Sequence, residues 1–302
     1  VFSIKFFNGL LGIISIIYLF NTLKKYFFDN NNFENYIIFF TFWFFPFIHL
    51  RTSSESLGII LFCLALPFFY KIFSNNNSYY SQILTIFFGI ILGLSIVVRP
   101  QMIFTILPVF LWVLIFSYNF KKIFLCFIGV SISIAIGITI DSLTWGFFTN
   151  TYYQLYKIQI LSGYMGSYSS KPWWYFISST LLELAPVFSL IFVISLLYFI
   201  IKNPKNLFTW LVVGTYLILC LFQHKETRFI FPIYIFAPFF LIYFFNKLKN
   251  LKLKFLLICT TMFFNYLFLF IVVFYPINGK VSLYKTIFYL DIKYENVYYI
   301  GE

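Results

Sequence analysis

Four ionisable side chains fall within five consecutive positions at His224-Lys225-Glu226-Thr227-Arg228, directly before Phe229 and between two apolar runs. Arginine and lysine in such a place suit an anion such as a phosphate, which a guanidinium can grip with two parallel hydrogen bonds. Histidine and glutamate can orient those cations or handle a proton. A solvated loop with an internal ion pair accounts for the same residues equally well. A second group, His49-Leu50-Arg51-Thr52-Ser53-Ser54-Glu55, offers a cation, three hydroxyls and a carboxylate. Ser53 or Ser54 can cap a following helix with Glu55 in its first turn, which leaves Arg51 beside an apolar run unexplained. Arg99 ends the apolar run in Val97-Val98-Arg99-Pro100, either as a functional cation or as a side chain snorkelling to the membrane interface. Asp141 ends another such run, where the helix dipole opposes a carboxylate, and this frustration argues for a partner or a task. The stretch 141–175 is rich in aromatics and closes with Lys171-Pro172-Trp173-Trp174-Tyr175. Such a stretch suits an interfacial belt and also a surface on which a pyranose could stack. No Gly-rich phosphate loop, HExxH or DxD pair occurs, so no metal is expected.

Those residues must be positioned by something, and composition says what. The chain has 302 residues, 62% hydrophobic, 25% aromatic and 10% charged, with a mean hydropathy of +0.91. A soluble chain is about half apolar and about a quarter charged, so a soluble globular enzyme is excluded, as are a disordered chain and a disulfide-stapled secreted domain. An all-α polytopic membrane protein remains. Apolar runs fall at about 6–23, 36–50, 56–73, 83–98, 102–118, 123–140, 176–201, 207–223, 229–246 and 255–275. A span takes ~20 apolar residues, so the expectation is a bundle of about ten transmembrane helices over 1–275 and a tail over 276–302. Several runs near 16 residues would need tilt, bilayer thinning or partial insertion. Cys63, Cys126, Cys220 and Cys259 all lie in apolar runs without a CxxC or Cys/His cluster, and read as small core residues.

Alternating the sides of these runs separates the charges. One set of connections holds Lys24, Lys25, Lys71, Lys121, Lys122, Lys202, Lys205, Lys247, Lys249, Lys252 and Lys254, with Asp29 and Glu34 as its only acids. The other holds both histidines, all three arginines and the remaining acids. The lysine set is expected in the cytosol by the positive-inside bias, and the formal net charge of +12 is then topological and does not imply nucleic acid. The mixed set would face the lumen or periplasm. Ionisable residues at membrane depth are costly and so are functional candidates. The chain opens at Val1 without a signal-peptide pattern, and is read as lacking an N-terminal part.

Taken in order, these groups resemble the polyprenyl-phosphate-sugar-dependent mannosyltransferases that build N-glycan precursors and GPI anchors, together with their bacterial relatives (glycosyltransferase family 22, of GT-C type). His224 to Phe229 is similar to the family's HKExRF signature and is followed by Phe231-Pro232. Arg51-Thr52 with Glu55, then Arg99-Pro100, Asp141, and Lys171 to Tyr175 support it, so the resemblance covers roughly 1–275. It departs from the family pattern near Arg51, where Ser54 or Ser56 stands for the usual Asn. The resemblance implies an inverting transferase in the endoplasmic reticulum or a bacterial inner membrane. It would move mannose from a dolichyl or polyprenyl phosphate carrier to a glycan or glycolipid hydroxyl, with no cofactor. It further implies that His224, Lys225, Glu226 and Arg228 hold the donor phosphate, helped by Arg99 and Arg51. Asp141 and Trp173 would line the acceptor side, and the catalytic base would lie upstream of Val1. A lipid-linked sugar flippase or another GT-C transferase is the alternative.

Overall fold

The computed structural model describes residues 2–28, 33–51, 53–74, 79–117, 119–161, 170–183 and 186–274, and every regular element among them is helical. The expected tail over 276–302 lies outside the described residues. In chain order the helices are α1 (Phe2–Phe27), α2 (Phe33–Phe40), α3 (Phe44–His49), α4 (Ser54–Ser74), α5 (Tyr79–Val98), α6 (Ile103–Phe116) and α7 (Phe120–Trp145). They continue as α8 (Thr151–Tyr156), α9 (Tyr175–Glu183), α10 (Pro186–Lys202), α11 (Leu207–Cys220), α12 (Phe231–Tyr234), α13 (Ala237–Lys247) and α14 (Leu251–Phe274).

Among the described residues the apolar runs are built from helices, as a bilayer solvent requires of backbone that crosses it. The expected ten spans are nevertheless a correction to make. Among the described residues only α1, α4, α5, α7 and α14 are long and apolar enough to cross a membrane, and counting each of two bent helix pairs as one span raises the number to seven. The reason is local. Run 36–50 breaks at Thr41–Trp43 between α2 and α3, and run 229–246 bends by 51° between a 3-10 turn with α12 and α13. Run 102–118 keeps only 14 residues in α6 after the 3-10 turn Pro100–Met102. Pro100 opens that turn, as its fixed φ and missing N–H favour.

A break in hydrocarbon leaves backbone groups that need partners. At Thr41–Trp43 they come from far along the chain. The Asn265 side chain of α14 accepts from the Trp43 N–H at 2.9 Å and donates to the Thr41 carbonyl at 2.7 Å and hydroxyl at 3.2 Å. Phenylalanine fills the centre: Phe27 meets Phe199, Phe208 and Phe239, and Phe39 meets Phe239, with ring centroids 4.8–5.2 Å apart. Of the four cysteines, Cys63 and Cys126 are buried core residues as expected, whereas Cys220 is partly exposed and Cys259 exposed.

The tightest packing is between α5 and α7. A Cβ on Gly129 would sit 2.2 Å from the Ile86 carbonyl oxygen, and one on Gly89 would sit 2.2 Å from that of Cys126. Close backbone approach through small residues is how helices associate where hydrophobic burial gives no drive. The Ser133 hydroxyl adds a bond to the Ile90 carbonyl at 2.8 Å. Gly129→Leu is expected to lower the apparent unfolding temperature of the detergent-solubilised protein, at about 1–3 kcal/mol or more for overpacking. A melting curve unchanged from wild type would show that the helices are not held in this register.

Candidate functional site

The helix ends sort the charges into two groups. At one end, Lys71 Nζ donates to Tyr18 Oη at 3.2 Å, Lys122 Nζ donates to the Ile72 carbonyl at 2.6 Å, and Lys254 approaches Glu34 at 3.8 Å. All three lysines, and Glu34, belong to the lysine-rich set. At the other end lie the residues singled out for chemistry.

There the loop after α11 folds around Glu226. His224 Nε2 is 2.8 Å from Glu226 Oε1, and Arg228 Nε donates to Glu226 Oε2. Burial works to raise the Glu226 carboxyl, but its bonds to Arg228 and His224 prevail and hold it below the usual carboxylate range. Glu226 therefore orients a cation and an imidazole. Lys225 turns the other way. It is buried, and its ammonium donates to the carbonyls of Lys171 at 3.1 Å and of Phe222. It ties two loops together and does not point at open space.

Arg228 also reaches across to α4. Its Nη1 lies 3.2 Å from Glu55 Oε1, and Arg99 Nη2 lies 2.9 Å from the same oxygen. Two guanidiniums separated by more than a hundred residues thus converge on one carboxylate. Burial pushes the Arg99 guanidinium down from its ordinary value, and the nearby Glu55 charge opposes that. Sequence reasoning gave Glu55 to helix capping. Ser53 does cap, its hydroxyl accepting from the Ser56 N–H at 3.3 Å, which frees Glu55 for the arginines. The available signal was an acid within the arginine-bearing set of connections, and only folding shows which arginines it meets.

Arg51 stands beside this group without bonding to it. Its guanidinium lies 4.0 Å from the centre of the Phe47 ring, and its main chain is held by Asn8, whose amide donates to the Arg51 carbonyl at 2.7 Å and to the His49 carbonyl at 2.8 Å. The segment 171–175 straps the 224–228 loop. The Lys171 N–H donates to the Gln223 carbonyl at 3.1 Å, Tyr175 Oη meets Thr227 Oγ1 at 3.0 Å, and Lys171 Nζ lies 3.9 Å from the Tyr175 ring centre. Trp173 is 62% exposed and packs edge-on against Trp174 at 5.6 Å, with its indole free of the ion pairs.

Asp141 falls inside the last turns of α7, which runs on to Trp145, and accepts from the Thr151 hydroxyl at 2.5 Å. The expected partner for that carboxylate is thus local. The adjoining Tyr152 phenol is pushed up by burial and by the Asp141 charge.

Two concavities meet here. A groove of about 580 Å³ runs between Ile96, Phe104, Ile134, Tyr152, Tyr156, Leu219, Phe222 and His224. A much smaller recess is lined by Glu55, Arg99 and Arg228. Gln101 and Phe229 line both, so the recess opens beside the groove. An apolar trough next to paired guanidiniums is chemically suited to an amphiphile with an anionic head. Among the described residues no group of three His, Cys, Asp or Glu could hold a metal ion.

Residues 1–297 match the Alg9-like mannosyltransferase family, and the chain belongs to that family. It is 26% identical over 263 residues to GPI alpha-1,2-mannosyltransferase 3 of Bos taurus, covering 81% of this chain and 44% of the relative. It is 26% identical over 187 residues to GPI mannosyltransferase 3 of Candida albicans, covering 61% of this chain and 36% of the relative. The chain thus spans less than half the length of the curated relatives it matches. No solved structure matches it significantly.

Proposed function

We propose that this chain carries the donor site of an inverting mannosyltransferase that takes mannose from a polyprenyl (dolichyl) phosphate carrier. The observation that carries the reading is the convergence of Arg99 and Arg228 on a recess that adjoins an apolar groove at the same end of the helices. The groove would take the first isoprenoid units and the arginines the phosphate. His224 and Glu226 fix Arg228 in place, while Lys225 fixes the loop that carries them. The acceptor would be the hydroxyl of a glycan or glycolipid. The relatives' names point to a GPI-anchor precursor. It would approach from the side of Asp141 and Trp173. This face would be lumenal in the endoplasmic reticulum or periplasmic in a bacterial inner membrane, and no cofactor is needed.

In the reaction the acceptor oxygen bonds to the anomeric carbon, and the bond from that carbon to the phosphate oxygen breaks. The electron pair stays on the phosphate, and a general base takes the hydroxyl proton. Charge develops on the leaving phosphate, so fixed cations there are the larger catalytic lever. The expected result is that the full-length protein in proteoliposomes transfers mannose from polyprenyl-phosphate mannose to a mannose-terminated glycolipid and does not use GDP-mannose. Transfer from GDP-mannose alone would overturn the reading.

A further inference from the structure

The Arg99–Glu55–Arg228 bridge occupies the place an anion would need. Glu55 Oε1 is 2.9 Å from one guanidinium and 3.2 Å from the other, and the carboxylate is only 12% exposed. With Glu55 seated, the recess between the arginines holds about 10 Å³, roughly the room of one water molecule. A phosphate cannot lie between both guanidiniums until Glu55 withdraws. Glu55 sits in the first turn of α4 on a flexible two-methylene stem. The carboxylate can therefore swing away without moving the helix.

We infer that Glu55 is a built-in competitor for the phosphate, occupying the arginine pair in the empty site and reclaiming it as the leaving phosphate departs. This inference rests on the donor-phosphate reading above. Its logic is electrostatic. A sugar phosphate linked to a lipid is a diester with one negative charge. The phosphate left behind is a monoester carrying about −1.5 to −2 at neutral pH. Two arginines alone would hold that product more tightly than the donor, and turnover would stall on release. An internal carboxylate lowers the net charge facing the ligand and gives the arginines an alternative partner. The product's excess affinity is thereby offset. Glu226 does not do this, because it binds Arg228 through Nε and is tied to His224 on its other oxygen. Nor does Asp141, which accepts from the Thr151 hydroxyl.

The test measures binding of a short-chain polyprenyl phosphate, with the matching polyprenyl alcohol as control, to the full-length protein in detergent. Product inhibition is read in the transfer assay. Glu55→Gln keeps the shape and removes the charge. It is expected to bind the polyprenyl phosphate about tenfold more tightly, leave alcohol binding unchanged, lower KM for the donor and lower kcat through slower release. Glu55→Asn is the second variant should the first not fold. Weaker phosphate binding in either variant would overturn the inference, since it would make Glu55 merely a support for the arginines. If the wild-type protein fails to prefer the phosphate over the alcohol, the donor-phosphate reading itself falls, and the inference with it. Tighter phosphate binding in the variants with wild-type preference intact supports both.

Discussion

Arg228→Ala in the full-length protein is expected to lower turnover by about 30- to 1000-fold with the fold retained, corresponding to roughly 2–4 kcal/mol of barrier for one lost oxyanion-type donor. The side chain is 48% exposed and, among the described residues, bonds to Glu55 and Glu226, so its removal opens no core cavity. What is lost is a guanidinium aimed at the recess where negative charge would grow. The effect should therefore appear mainly in kcat. Arg228→Lys retains the charge but not the planar fork that spans two carboxylates, and should recover only part of the activity. Assays of mannose transfer at saturating donor, with the folded fraction checked by size-exclusion chromatography, read this directly. Normal turnover by Arg228→Ala would remove Arg228 from the donor site.

Asn265→Leu is expected to cause a large loss of stability although it nearly conserves volume. Asn265 is 2% exposed and holds three bonds to Thr41 and Trp43. Leucine fills nearly the same space, so little cavity is created. It leaves a backbone N–H and a carbonyl unpaired at a helix break within the hydrophobic layer. An unsatisfied buried group costs about 1–3 kcal/mol, so the pair should cost about 2–5 kcal/mol. The measurement is the apparent unfolding midpoint in a mild detergent, with Asn265→Ser as a variant able to keep one bond. A midpoint equal to wild type would mean that the break finds its partners elsewhere.

Much of this architecture was legible in the chain before folding. Hydrocarbon-length runs declare helices because an unpaired backbone is intolerable in lipid, and the segregation of lysine from mixed charge declared which helix ends belong together. Pairings across the bundle were not legible. Nothing at Thr41–Trp43 announces a break, because Phe42 and Trp43 are apolar like their neighbours, and Asn265 is a lone amide in an otherwise apolar stretch. Both make sense only as a pair. The arginines could be nominated from charge at membrane depth. Their convergence on Glu55 could not, since capping is a sufficient local explanation for an acid at that position. Lys225 shows the reverse difficulty. Its place in an ion-rich motif points outward to a ligand, but the loops around it offer the carbonyls of Lys171 and Phe222, and it turns to those.

The Asn265 latch also bears on how the polypeptide is made. Its two halves lie 222 residues apart, a distance that a ribosome covers in roughly 10–45 s at typical elongation speed. Throughout that interval the nascent α2–α3 segment has a naked amide and carbonyl at its elbow. They must be shielded by the insertion machinery or kept near water until α14 emerges. The closing helix is thus the keystone of biogenesis, and truncation before it should leave an earlier segment unable to settle in the bilayer.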